Sequence, residues 1–195
     1  DIFSSPIPTI KYSLVIANGV TTIPVDEHKN KNLVSVTIPN SVTEIGISAF
    51  EDNSINSLTF ENNSSLSIIG DFAFQYNDIT SLTIPNSVTT IGNNAFMDNS
   101  INSLTFDNDS SLSTIGNFAF YNNDISSLTI PNSVTSIGIA AFQDNDISSL
   151  TIPKSVQTIG DSAFFDNSIN SLTFDDDNDS SLSIIGGSAF KNNDI

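Results

Sequence analysis

A sevenfold repeat restricts this chain to one kind of architecture. The dipeptide Ile-Gly recurs from Ile45-Gly46 to Ile185-Gly186, with successive glycines 24, 22, 24, 22, 22 and 26 residues apart. Ala-Phe begins three residues after each glycine, and an Asn lies three residues after each Phe. Self-similarity at such a period is typical of a solenoid, in which every repeat stacks on its neighbours. We therefore interpret the chain as one array of coils.

The repeat occurs in a short form and a long form that differ in one place. The short form reads Ser-Leu-Thr-Ile-Pro-Asn-Ser-Val, as in residues 81–88. The long form replaces Ile-Pro by Phe and an acidic loop, as in residues 103–112. The last long unit is extended further by Asp175-Asp176-Asp177-Asn178-Asp179. Length changes confined to one position indicate a loop on one side of the solenoid.

Each repeat begins with an alternation of polar and apolar residues that is typical of a half-buried strand. Stacked copies predict a parallel sheet with one strand per repeat and with Leu and Ile or Phe inward. The Phe of Ala-Phe begins a short helical or irregular return segment, and we expect these rings to stack as one column from Phe50 to Phe190. The Asn of each repeat, with donor and acceptor groups, is expected to satisfy turn backbone inside the coil. Because one repeat buries too little to fold alone, stability must come from stacking.

The ends of the chain differ from the repeats. Residues 1–32 depart from the pattern and contain Lys11, Lys29 and Lys31 among five Lys and Arg residues in all. We expect them to form an N-terminal cap or a degenerate first repeat, followed by seven repeats in residues 33–195. No capping sequence follows the last repeat, so the C-terminus is predicted to be uncapped and the chain to be a fragment of a longer protein. An open sheet edge there would favour end-to-end self-association.

Composition excludes several classes of partner and site. The formal net charge is −17, which is unsuitable for binding nucleic acid or anionic lipid. No apolar run approaches the roughly 18 residues that a membrane helix needs, so no membrane insertion is expected. The absence of Cys and the single His28 exclude disulfides, Cys-based metal sites and His-pair motifs. We interpret His28, in a polar stretch, as a solvated loop residue.

The pattern Ser-Leu-Thr-Ile-Pro-Asn-Ser-Val-Thr-x-Ile-Gly-x-x-Ala-Phe, across residues 33–195, resembles the BspA-like class of leucine-rich repeat. The resemblance implies a solenoid of 22–26-residue repeats, with a parallel β-sheet on one face and short helical or irregular segments on the other. Many relatives carry Cys where this chain has Asn53 and its equivalents. Repeats of this class occur in bacterial and protist surface proteins linked to adhesion. The resemblance therefore implies an extracellular or cell-surface binding module without enzymatic activity.

The outward face of the predicted sheet is the candidate binding surface. It is uncharged and flanked by acidic loops, and we predict that it contacts a protein or a glycan. Two columns of hydroxyl side chains form it: Thr37, Thr59, Thr83, Thr105, Thr129, Thr151 and Thr173, and beside them Ser35, Ser57, Ser81, Ser103, Ser127, Ser149 and Ser171. The simpler interpretation is that Thr and Ser only suit the exposed side of a strand.

The acidic loops are a weaker candidate site, for calcium. Their carboxylates have the alternate spacing of an oxygen-ligand loop: Asp107, Asp109, Asp175, Asp177 and Asp179. The sixth position of such a loop should be Gly but is Ser180, and the twelfth should be acidic but is Gly186. The alternative is a solvated loop. No other cofactor is expected.

Two other functions remain open from the sequence. The array could be a structural spacer or self-associating stalk, which the uncapped end favours. Regular Thr columns on a flat sheet could order water as an ice-binding surface. Enzymatic activity is not expected, because no nucleophile, base and orienting group converge anywhere in the pattern.

Overall fold

Two sets of short parallel strands run along the chain, which the structure, a computed structural model, describes over residues 10–175 and 181–195. Together they make a parallel β-solenoid of eight coils. In the described residues the strands are β1 (Tyr12–Val15), β2 (Thr22–Ile23), β3 (Leu33–Ile38), β4 (Glu44–Ile45), β5 (Ser57–Phe60), β6 (Ile68–Ile69), β7 (Ser81–Ile84), β8 (Thr90–Ile91), β9 (Ser103–Phe106), β10 (Thr114–Ile115), β11 (Ser136–Ile137), β12 (Ser149–Ile152), β13 (Thr158–Ile159), β14 (Ser171–Phe174) and β15 (Ile184–Ile185).

The two-residue strands form one continuous sheet in the order β15-β13-β11-β10-β8-β6-β4-β2, which we call the Thr-Ile ladder. The Ile at the second position of each strand is buried as far as β13, whereas Ile68, at the first position of β6, is exposed. A glycine follows each of these strands except β2 and allows the coils to approach closely: a Cβ built on Gly116 would lie 2.5 Å from the carbonyl carbon of Gly92. No other residue fits at that separation.

The longer strands, of four residues or, in β3, six, are less regular than the sequence predicts. They form three separate groups, β1-β3-β5, β7-β9 and β12-β14, and residues 127–130 are not assigned to a strand. The prediction of one unbroken sheet with a strand from every repeat is therefore wrong for this side of the solenoid. We call this side, including residues 127–130, the Ser/Thr face.

Proline explains where the Ser/Thr face is interrupted. The residue after the strand is Glu61, Asp107 or Asp175 in the long repeats, and its N–H donates to an Ile carbonyl of the preceding coil at 3.0, 3.0 and 2.9 Å. The short repeats have Pro at this position, which has no N–H to donate. In the repeats of Pro85, Pro131 and Pro153, the residues of the Ser/Thr face do not pair with those of the preceding coil. The repeat of Pro39 is the exception, since β3 still pairs with β1.

The return segments consist of tight turns, and no helix occurs in residues 10–175 or 181–195. Of the two alternatives from sequence, helical or irregular, the helical one is therefore wrong there. The cause is a left-handed residue two positions after each repeat glycine and again two positions after each Phe, such as Phe118 with φ 56° and Asn122 with φ 53°. A left-handed residue every fourth position cannot belong to a right-handed helix. Alternate N–H groups instead donate to the next coil, as from Phe74 to the Ala95 carbonyl at 2.8 Å.

The predicted Phe column is confirmed. Seven rings from Phe50 to Phe190 stack with centroids 5.0–5.4 Å apart and planes within 2–9° of parallel. His28 continues the stack at the N-terminal end, with its ring centroid 5.2 Å from that of Phe50. The interpretation of His28 as a solvated loop residue is therefore wrong. Its backbone follows the same turn as the later repeats, so His28 occupies the position that Phe occupies elsewhere, and burial lowers its pKa.

The Asn column is confirmed as an internal hydrogen-bonding element. Asn123 is typical: its Nδ2 donates to the carbonyl oxygens of Phe96 at 3.0 Å and Phe120 at 3.2 Å. Its Oδ1 accepts from the N–H of Ile101 at 3.0 Å. Each such side chain hydrogen-bonds both its own turn and the coil before it, and so links consecutive repeats.

The described part of residues 1–32 also belongs to the solenoid. Strand β1 pairs with β3, and β2 pairs with β4 at the end of the Thr-Ile ladder. Among the described residues no helix has the length and apolar character needed to cross a bilayer.

A candidate binding surface on the Ser/Thr face

The structure places the two predicted hydroxyl columns on the Ser/Thr face. Paired strands bring equivalent residues side by side, such as Thr83 beside Thr105 and Thr151 beside Thr173. All of the predicted Thr and Ser side chains are exposed except Thr37 and Ser35, which are partly buried. The columns therefore exist, but they are divided among the three groups of strands.

In the described residues, hydrogen bonds between Thr hydroxyls occur within these groups of strands and not between them. Thr83 and Thr105 lie on paired strands, and their Oγ1 atoms are 2.9 Å apart. The Oγ1 atoms of Thr151 and Thr173 are 2.8 Å apart. No such bond joins Thr105 to Thr129 across an interruption within the described chain. The face thus alternates between internally bonded Thr pairs and gaps that are open to a partner or to water.

Three clefts lie at the interruptions. Cleft 1 separates β5 from β7 and has a volume of about 860 Å³. Cleft 2 separates β9 from residues 127–130, with about 450 Å³, and cleft 3 separates those residues from β12, with about 310 Å³. Exposed Thr side chains line all three, so the clefts are part of the predicted surface.

The long loops form walls between the clefts. Glu61 of the first long loop and Asp107 and Asp109 of the second line cleft 1. Asp107 and Asp109 also line cleft 2, opposite Pro131. The acidic residues that were predicted to flank the face therefore form the sides of the clefts.

The coil that contains residues 127–130 lacks one hydrogen bond that other short repeats make. In other short repeats a Ser hydroxyl joins adjacent coils, as from Ser87 to the Leu66 carbonyl and from Ser155 to the Val134 carbonyl, both at 2.7 Å. The equivalent Ser133 Oγ is buried and has no hydrogen-bond partner in the described residues. This missing bond lies beside cleft 2, where Ser133 is part of the lining.

The described residues do not assemble a calcium site. They contain no group of three or more His, Cys, Asp or Glu side chains placed to hold a metal ion. Asp107 and Asp109 are exposed, as is Asp175. Asp177 and Asp179 lie outside the described residues, so the calcium prediction for that loop stays a prediction.

The strongest local electrostatic effects lie away from the Ser/Thr face. Lys29 and Glu51 form an ion pair at 2.9 Å on the turn segments, and the hydrogen bond between them raises the pKa of Lys29. A hydrogen bond to Asp144 raises the pKa of Tyr121, which also lies on a turn segment. The face itself presents hydroxyls, amides and carboxylates, a set suited to recognition by hydrogen bonding.

Sequence reasoning located the hydroxyl columns and missed the clefts. The sequence did contain a signal for the clefts, because a Pro at the end of a strand has no N–H to donate to the neighbouring strand. The short repeats carry that Pro at positions 39, 85, 131 and 153, and three of these four positions mark a cleft.

Two solved structures of bacterial proteins match this chain to different degrees. The pneumococcal vaccine antigen PcpA is 22% identical, with a TM-score of 0.63, and the alignment covers 89% of this chain and 54% of PcpA. A leucine rich cell surface protein from Faecalibacterium prausnitzii is 19% identical, with a TM-score of 0.46, and 92% of this chain and 72% of that one are covered. The likeness to PcpA shows the solenoid fold, and this chain spans about half of PcpA. No curated protein sequence matches the chain significantly.

The family is established by the repeat itself. A sequence profile for the BspA type leucine rich repeat region matches in six copies, over residues 9–110 and 67–195. These matches extend over almost the whole chain. The chain belongs to the BspA-type leucine-rich repeat family.

Proposed function

We propose that this chain is a non-catalytic binding module of an extracellular or cell-surface protein, and that its Ser/Thr face contacts a protein or glycan partner. The observation that carries the proposal is the coincidence of the exposed Thr and Ser columns with three clefts on one side of the solenoid. Solenoids commonly bind partners over extended surfaces of this kind. The likeness to PcpA, described as a pneumococcal vaccine antigen, supports a surface location.

The test is a binding screen of the purified chain against extracellular matrix proteins, mucins and polysaccharides, with and without calcium. The diagnostic variant is T105K/T129K, because both side chains are exposed and line cleft 2. The matched control T89K/Q157K adds the same charge at exposed positions just before the Thr-Ile ladder. A saturable interaction that is lost in T105K/T129K and retained in the control supports the proposal. Unchanged affinity in T105K/T129K refutes the assignment to this face.

A second candidate function is self-association as a spacer or stalk. Within this chain, the side chains through which copies would stack are Phe174, Ile184 and Ile185, which are 37%, 57% and 50% exposed. Light scattering across a range of concentrations tests this candidate, with I184K as the variant that should reduce the mass. A monomer at all concentrations would count against it.

The ice-binding alternative is weakened by the interrupted face. An ice lattice would need one flat, evenly spaced array of Thr hydroxyls, whereas clefts divide the Thr columns and two Thr pairs bond to each other. A measurement of thermal hysteresis remains the direct test of this alternative.

A further inference from the structure

Clefts 1 and 2 are anionic and contain no compensating cation. Their linings include Glu61, Asp107 and Asp109 and contain no Lys, Arg or His. The ion pair between Lys29 and Glu51 is the one salt bridge in the part of the chain that the structure describes, and it lies on another side of the coil. The two clefts therefore present negative charge that the described chain does not neutralise.

The carboxylates in these clefts are free to accept new donors. Glu61 Oε2 accepts one bond, from the N–H of Asn40 at 3.2 Å. Asp107 and Asp109 are exposed and make no side-chain hydrogen bond within the described residues. Because Asp107 and Asp109 line both clefts, a cation on either side of the second long loop would reach the same pair of carboxylates.

We infer that the partner is an extended polypeptide segment rich in Lys or Arg, lying along the Ser/Thr face with basic side chains in clefts 1 and 2. This inference rests on the proposed function of that face. Long basic side chains suit such clefts, because their aliphatic stems pack against apolar atoms while the charged end stays in a polar environment. The floor offers such packing through Leu58 and Phe60 in cleft 1 and Leu104 and Phe106 in cleft 2.

The spacing of the clefts determines which peptide should be used to test the inference. They are two coils apart, which is about 9.5 Å at the usual separation of parallel strands. A segment in the extended polyproline II conformation covers that distance in one turn of about three residues, which places every third side chain on the same side. A peptide of about 15 residues with Lys at every third position and Ser elsewhere therefore matches the clefts. The same peptide with Glu in place of Lys is the charge control.

The decisive comparison changes the sign of the charge at two positions. T105K/T129K and T105E/T129E place similar bulk on the wall of cleft 2, so a steric effect would weaken binding in both. An effect of charge would separate them, and we expect the Lys-containing peptide to bind T105E/T129E about ten-fold more tightly than T105K/T129K at physiological salt. The Glu-containing peptide should not bind the unsubstituted chain.

A second comparison separates the clefts from the overall charge of the protein. E61Q/D107N/D109N removes three charges from the clefts with little change of shape. The matched control removes three exposed carboxylates that precede the face strands: D78N/D124N/D146N. We expect a loss of about ten-fold in affinity for the cleft variant and a change of less than about two-fold for the control. Circular dichroism and the unfolding midpoint of each variant report whether the fold is retained.

The outcomes distinguish this inference from the proposed function. Equal losses in the two neutralising variants would mean that only net charge attracts the peptide, and would overturn the inference. In the binding screen, a partner whose binding is lost equally in T105K/T129K and T105E/T129E would overturn the inference that the partner is a basic segment. The same result would support the Ser/Thr face as the binding surface. A partner that neither substitution affects would refute the proposed function itself.

Discussion

Replacing a single internal Asn should reveal how strongly the coils depend on one another. In Asn123→Ala, the buried N–H of Ile101 loses its partner, whereas the carbonyl of Phe96 keeps the bond from Asn99 Nδ2 at 3.2 Å. A buried polar group left without a partner costs about 1–3 kcal/mol. One such group therefore predicts a loss of about 2 kcal/mol in the free energy of unfolding. A domain is stable by only about 5–15 kcal/mol, so this loss would be large.

Asn193→Ala is the matched control, because Asn193 makes the same kind of bonds in the last coil. Its side chain accepts from the N–H of Ile169 at 2.9 Å and donates to the Phe164 carbonyl at 2.9 Å. These bonds are partly exposed, so water replaces them when the side chain is removed. We expect a loss of about 1 kcal/mol. The contrast between the two variants isolates the effect of burial.

Two measurements check the prediction. Urea unfolding followed by circular dichroism gives the change in midpoint, and an unchanged slope would show that unfolding remains cooperative. Amide hydrogen exchange gives the local effect: Ile101 should lose protection in Asn123→Ala, whereas Ile125, which donates to Asn145 Oδ1, should keep it. If Asn123→Ala costs no more than Asn193→Ala, the Asn column does not stabilise the stack and the reasoning is wrong.

Three further predictions concern the glycines, the prolines and His28. Gly116→Ala should destabilise by about 3 kcal/mol in urea unfolding, because its Cβ would lie 2.5 Å from backbone, whereas Gly187→Ala, whose nearest contact is 3.8 Å, should change little. Pro131→Ala supplies the missing ladder donor and should protect the amide at that position from hydrogen exchange; an unprotected amide would contradict the account of the interruptions. Burial lowers the pKa of His28, so the unfolded chain binds more protons, and stability should decrease as the pH falls below about 6.5. His28→Phe should remove that decrease, measured as the change in unfolding midpoint between about pH 7.5 and 5.5; a decrease of equal size in both proteins would assign it to other groups.

The inner part of the solenoid could be predicted from sequence because repetition makes its positions unambiguous. A Phe or Asn that recurs at a fixed offset in every repeat must stack on its own equivalents, and Phe50–Phe190 and Asn123 do so. His28 was missed for a related reason. It lies in a repeat too degenerate to align by residue identity, although its backbone follows the same turn.

The surface was less predictable, because it depends on backbone details that residue patterns express only indirectly. Alternation of Ser, Leu, Thr and Ile indicated strands in all repeats, yet pairing with the preceding coil is interrupted at three of the four repeats in which Pro removes an N–H: those of Pro85, Pro131 and Pro153. The return segment was ambiguous because bulky residues such as Phe72 and Phe118 rarely adopt positive φ, and here they have φ of 59° and 56°. Their conformation follows from the need of each coil to bond the next.

The unequal continuity of the two sheets gives the solenoid a preferred direction of bending. The Thr-Ile ladder bonds all eight described coils without a gap and resists any change in their spacing, whereas the Ser/Thr face is joined only in groups of two or three strands. Bending that opens or closes the clefts strains few hydrogen bonds, while bending that stretches the ladder breaks several at once. The solenoid should therefore bend more easily on the side of the Ser/Thr face than on the side of the Thr-Ile ladder. A partner on the Ser/Thr face would adjust its curvature at low energetic cost, and small-angle scattering with and without such a partner would record the change.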